Sequence, residues 1–171
     1  MTFIHLAENR YSVRVYQKKE VETEKLDTIL KAGWVAPSAG NQQPNQFVVV
    51  NTTENQAKLS KGVSAHGAPL AIIVCTDEDV AWKRPFDGHS MVDIDATIAT
   101  DHMMMCAEDL GLATCWLTYF DPKVICTEFN IPPNLIPVSI LAIGYSADEK
   151  PQSPERHTTT RNAQIIKYGA F

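Results

Sequence analysis

Arg10, Ser12 and Arg14 stand at alternate positions of the run Arg10-Tyr11-Ser12-Val13-Arg14. In an extended chain alternate side chains leave the same face, so two guanidinium forks and a hydroxyl share one surface. Rigid forks of N–H donors match a phosphate dianion and its polar linker. A solvated basic strand edge is the other reading of the same five residues.

A second cluster lies at Pro37-Ser38-Ala39-Gly40-Asn41-Gln42-Gln43-Pro44-Asn45. Each Asn or Gln side chain offers both donor and acceptor, which suits a flat heterocycle with alternating polar atoms, such as the pyrimidine edge of a flavin. The same amides can instead bond their own backbone in a turn. The third cluster is 111–120, where Gly111 stops a helix and an extended run through Cys115, Trp116, Leu117 and Thr118 offers backbone amides to a ligand. Trp82, Phe86, Tyr119 and Phe120 are candidates for stacking on an aromatic acceptor.

Missing motifs narrow the chemistry. The sequence has no G-x-G-x-x-G, no G-x-x-x-x-G-K-[ST] and no G-x-S-x-G, so a dinucleotide fold, a P-loop and a hydrolase elbow are unsupported. The five histidines are scattered; His89 and Asp93 would share a face only if both lie on one helix, and no metal is expected. Cys75, Cys106, Cys115 and Cys126 form no C-x-x-C pair and read as reduced, inert thiols.

The elements that must position these clusters follow from periodicity. Val21, Leu26, Ile29, Leu30 and Trp34 make a helical stripe over 21–36, capped by Thr23 and stopped by Pro37. Residues 46–50 read as a strand covered on both faces, as do 70–76, with a short helix over 53–63 and breakers at 64–69 between them. A loop with exposed aromatics over 78–90 precedes a long buried helix over 91–110. An extended segment over 113–119, a helix over 122–129 and a strand over 137–145 complete the body. The 171 residues fit one domain, with 147–171 a C-terminal arm whose Ile165, Ile166, Tyr168 and Phe171 need cover from the body or another subunit.

Composition sets further bounds. A net charge of −5 disfavours general attraction to nucleic acid or anionic membrane. The longest apolar run, 70–75, is far short of the roughly 20 residues a membrane span needs. The N-terminus carries no secretory pattern, and a cytoplasmic location is expected.

Taken in order, Arg10-x-Ser12-x-Arg14, Trp34-Val-Ala-Pro-Ser-Ala-Gly-Asn41-x-Gln43-Pro44, and Asp95-Ala96 through Ala107-Glu108-x-Leu110-Gly111-Leu112-x-Thr114-Cys115-Trp116 resemble the FMN-dependent nitroreductase family. The resemblance runs from Arg10 to Tyr145. It implies an α+β, three-layer α/β/α fold with a central mixed, mostly antiparallel sheet flanked by helices, in an entwined homodimer with FMN in each interface site. It assigns phosphate and ribityl contacts to Arg10, Tyr11, Ser12 and Arg14, with Arg156 added from the tail. Pro37, Ser38, Ala39, Asn41 and Gln43 would contact the cofactor, the loop reaching it from the partner subunit, and the backbone at Leu117 and Thr118 would lie near the flavin's reactive edge.

No catalytic side chain is then required, because the flavin carries the chemistry: electrons pass by a ping-pong route from NAD(P)H to a small acceptor such as a nitroaromatic or quinone. A non-catalytic protein that binds or sequesters FMN is the alternative. Three departures from the family pattern matter. Asn45 replaces a common aromatic and should alter packing beneath the loop; Thr118 replaces a common glycine and narrows access; and the short 63–69 segment leaves no room for a basic residue against the flavin pyrimidine, a place Arg14 would have to fill.

Overall fold

The computed structural model describes residues 2–148 and 166–169. Among them the order is α1 (Phe3–Asn9), α2 (Thr23–Trp34), β1 (Asn45–Val50), α3 (Thr53–Leu59), β2 (Leu70–Asp77), α4 (Val92–Asp109), β3 (Ala113–Leu117), α5 (Pro122–Phe129) and β4 (Leu135–Gly144). The strands pair antiparallel in the order β1-β2-β4-β3. A parallel bridge from Ser12 to Thr114 adds the 10–17 segment beside β3.

Side chains alternate across a strand, and β2 shows what that does here. Ala71, Ile73 and Cys75 join a core with Leu59 of α3 and Ile125 of α5, while Leu70, Ile72 and Val74 join a second core with Ile29 of α2 and Met103 of α4. The sheet is therefore covered on both faces, which gives three layers and explains why β2 reads as an unbroken apolar run. Each fully buried isoleucine contributes about 1.5–3 kcal/mol relative to exposure.

Several boundaries and environments differ from the sequence reading. Helix α2 begins at Thr23 with Glu22 at the cap position, so Thr23 does not cap it, and it ends at Trp34 before Pro37 is reached. The residue preceding a proline is driven out of the helical region, which pulls the end back. Strand β1 is an edge: Gln46 is exposed and Phe47, Val48 and Val49 are half-buried, although Val48 and Val50 pack on one core and Phe47 and Val49 on the other. Helix α3 stops at Leu59. Strand β3 stops at Leu117, leaving Thr118 and Tyr119 exposed beyond it. Strand β4 runs Leu135–Gly144 and takes in Pro137 where its register with β2 shifts between Val74 and Cys75; a residue without an N–H is accommodated at such an irregularity. The N-terminal segment contains helix α1, too short for its periodicity to be read. Trp82 is half-buried rather than exposed, and His89 precedes α4, so it shares no helix face with Asp93. Most of the 147–171 arm, including Ile165 and Phe171, lies outside the described residues.

Gly144 marks a tight approach. A Cβ there would stand 2.6 Å from Pro69 Cδ and 2.9 Å from Tyr16 Cδ1, and neither ring yields easily. Gly144→Ala is expected to lower the unfolding free energy by about 1–3 kcal/mol, the scale of overpacking. Urea denaturation of the apo-protein checks it, and an unchanged midpoint would contradict the stated packing.

Candidate functional site

The segment 10–17 is extended because its backbone is paired: Val13 N donates to Thr114 O and Gln17 N to Tyr145 O, both at 2.9 Å. Alternation over 10–14 follows. Val13 is buried and Tyr11 half-buried against the core, while Arg10, Ser12 and Arg14 turn outward. Burial pushes the Cys115 thiol up, and the guanidiniums of Arg14 and Arg10 pull it back in part. Arg10 also partly offsets the upward push of burial on the Glu108 carboxyl, and its neighbour Tyr11 lines a recess together with Glu108, which sets the segment beside the C-terminal end of α4. Arg14 Nη1 donates to Ser12 O at 3.1 Å, and Tyr11 Oη lies 3.2 Å from Ser146 Oγ. A small recess of about 210 Å³ adjoins this segment, lined by Tyr11, Val13, Glu108 and Ser146.

At the other end of β3 a larger cavity of about 590 Å³ is lined by Val63, His66, Leu117, Tyr119, Phe120 and Asp121 among others. Of the four aromatics proposed for stacking, Tyr119 and Phe120 line it; Trp82 packs instead toward Gly40, where an added Cβ would meet its ring at 3.0 Å. His66, passed over in the sequence as part of a breaker run, turns at φ +56 ahead of Gly67 at φ +74 and reaches this wall. A His-Gly pair between apolar segments was the available signal, since left-handed turns favour such residues.

The amide-rich loop stands apart from both. It winds through a 3-10 turn over Ala39–Asn41 with positive φ at Gly40, Asn41 and Gln43. Gln43 N donates to Ser38 Oγ at 2.8 Å and Ala39 N to Asp95 Oδ1 at 2.8 Å. Pro37, Asn41 and Gln43 are exposed, and Ser38 and Ala39 half-exposed. Asp95 lies in the first turn of α4, whereas Glu108 is near its end, so at 1.5 Å per residue the loop and the arginine pair are separated by about 20 Å along the helix. Leu117 thus lines the large cavity with Thr118 next to it in the chain, Tyr11 lines the small recess while Arg10, Ser12 and Arg14 stand on the other face of the same segment, and residues 37–43 line neither. Arg156 lies outside the described residues. No group of three or more metal-ligating side chains occurs among the described residues.

The Nitroreductase family model matches residues 7–65 and 56–145. A protein of Archaeoglobus fulgidus assigned as an NADH dehydrogenase/NAD(P)H nitroreductase is 36% identical over 149 residues, covering 82% of this chain and 83% of its own. The crystal structure of a nitroreductase family protein from Clostridium difficile 630 superposes with a TM-score of 0.95 at 47% identity, over 100% of both chains. An FMN-dependent nitroreductase from Clostridium difficile R20291 gives 0.81 at 30% identity, over 98% and 99%.

Asp95 is fully buried, and burial raises its carboxyl pKa while the Ala39 N–H lowers it in part. The folded chain therefore holds that proton more tightly than the unfolded chain, so stability falls as pH rises from the unfolded carboxylate value through the higher folded one. Asp95→Asn removes this dependence. Its unfolding free energy minus that of wild type is expected to increase from pH 4 to pH 7, the variant gaining relative stability, as checked by denaturation at each pH; a constant difference would show that burial does not disfavour the carboxylate.

Proposed function

The chain belongs to the nitroreductase family, and on that premise we propose that it is an NAD(P)H-dependent flavin oxidoreductase whose FMN sites are each assembled from two copies of the chain. The observation that carries this reading is the layout around β3: Arg10, Ser12 and Arg14 lie on the extended segment bridged to Thr114, and a cavity of about 590 Å³ with an apolar and aromatic wall opens beyond Leu117. An elongated ligand with a phosphate tail and a flat aromatic head fits that order.

In this reading Arg10 and Ser12 bind the phosphate, with Tyr11 steadying the segment through Ser146. The half-buried environment of Arg10 strengthens its hold on an anion. Arg14, exposed on the same face, is available to offset negative charge on the ring's pyrimidine edge. Leu117 and Thr118 border the flavin edge, and Tyr119 and Phe120 form the wall against which first a nicotinamide and then a small flat acceptor, a nitroaromatic or quinone, lie in turn. Bound FMN supplies hydride acceptance and donation. The chain's part is to hold it, orient it and keep one face open.

The loop 37–43 completes the site of a second copy, because within its own chain it stands about 20 Å from Arg10 along α4. Trp34 and Val35, 73% and 63% exposed just before that loop, and Ile94 beside Asp95 leave an apolar surface at the same end of α4. Such a surface is covered when two copies associate.

Two outcomes test the reading. Arg10→Ala is expected to weaken FMN binding by roughly 1.5–3 kcal/mol, the scale of a hydrogen bond to a charged group, in a fluorescence titration; an unchanged dissociation constant removes Arg10 from the site. Anaerobic addition of NADH or NADPH to the yellow holo-protein is expected to bleach the oxidised flavin band. A failure of both donors to do so would favour a protein that only stores flavin.

A further inference from the structure

Three of the four residues Gly40, Asn41, Gln42 and Gln43 have φ between +52 and +57, two of them not glycine. Side chains rarely adopt that region, and a loop keeps such a shape only when its surroundings over-determine it. The surroundings here are a short chain of buried polar contacts. Thr76 Oγ1 of β2 donates to Asn45 Oδ1 at 2.8 Å, and Asn45 Nδ2 donates to the Asp95 carbonyl at 2.9 Å. The Asp95 carboxylate, through Oδ1, accepts from Ala39 N at 2.8 Å. A carbonyl can only accept, so the Asn45 amide has one workable orientation and the Thr76 hydroxyl must be the donor. Thr76 and Asp95 are fully buried, and Asp95 Oδ2 has no hydrogen-bond partner. An incompletely matched buried carboxyl costs stability, which marks it as kept for a purpose other than packing.

We propose that Thr76, Asn45 and Asp95 are positioning residues that latch the 38–43 loop in the shape that binds FMN. None of the three needs to touch the cofactor. Asn45 is the central member because it ties the rim of β2 to the first turn of α4, and Asp95 passes the restraint to the loop backbone at Ala39. The inference rests on the proposed flavin site, although the latch itself can be read in protein without cofactor.

The test uses the full-length protein and two readouts: amide hydrogen exchange at Ala39 and Gln43 in the apo-protein, and the FMN dissociation constant. Asn45→Ala and Thr76→Val, the second nearly isosteric, are each expected to speed exchange at Ala39 about tenfold or more and to weaken FMN binding about tenfold, corresponding to the loss of a buried hydrogen bond. Asp95→Asn keeps an acceptor for Ala39 and should stay within about threefold of wild type on both counts, whereas Asp95→Ala should behave like Asn45→Ala. If Asn45→Ala fails to fold, Thr76→Val decides. Unchanged exchange at Ala39, or an FMN affinity within threefold of wild type in Thr76→Val, overturns the latch. A wild-type protein that takes up no FMN sinks the flavin reading instead, and the exchange readout still judges whether the three residues hold the loop.

Discussion

Helix α4 imposes the constraint on which the functional reading depends. Its 18 residues carry Asp95 at one end and Glu108 at the other, and each end adjoins a different part of the candidate site: Asp95 accepts from the amide-rich loop at Ala39, and Glu108 shares a recess with Tyr11 of the arginine segment. A helix cannot shorten, so the two parts stay apart in one chain. A ligand needing both must draw them from two chains. The helix packs on its own sheet through Ala96, Met103 and Ala107, while Ile94, in its first turn, stays partly exposed near the loop.

The sheet explains why polar chemistry gathers at the margins. Strands β2 and β4 are buried on both faces, and an unpaired polar group placed there would cost several times what it costs at a rim. Thr76 and Ser139 are tolerated inside because each has a partner, Asn45 and Thr100 respectively. The residues with donors to spare, Arg10, Ser12, Arg14, His66 and the loop amides, lie where β1 and β3 end or where the 10–17 segment borders β3. Burial also pushes the Cys75 thiol up to about 12, so that cysteine serves as a small apolar side chain rather than a nucleophile.

Much of this was legible in the sequence where one residue type has one physical use. The unbroken run through Ile72 and Ile73 could only be a strand inside a layered fold, Pro122 after Asp121 opened α5, and Gly111 at φ +74 closed α4. The alternation of Arg10, Ser12 and Arg14 held because Val13 and Tyr11 between them had a core to enter. What could not be read depended on distant partners. Nothing adjacent to Asn45 indicates that Thr76 and Asp95 will meet it, and the edge position of β1 is set by strand order, not by its own residues. Trp34, patterned as core, is 73% exposed, because its side chain falls outside the face of α2 that packs on the sheet and α4.

The claim that two chains share each site is tested most directly with mixed dimers. One chain carries Arg10→Ala, the other Ser38→Ala with Asn41→Ala, and the heterodimer is isolated by differential tags and titrated with FMN. Pairing places both lesions in one site and leaves the other intact, so the heterodimer should bind one FMN per dimer with wild-type affinity while each parent homodimer binds weakly. A heterodimer that binds no more tightly than either parent would contradict the account, since the arginines and the loop would then serve the same chain.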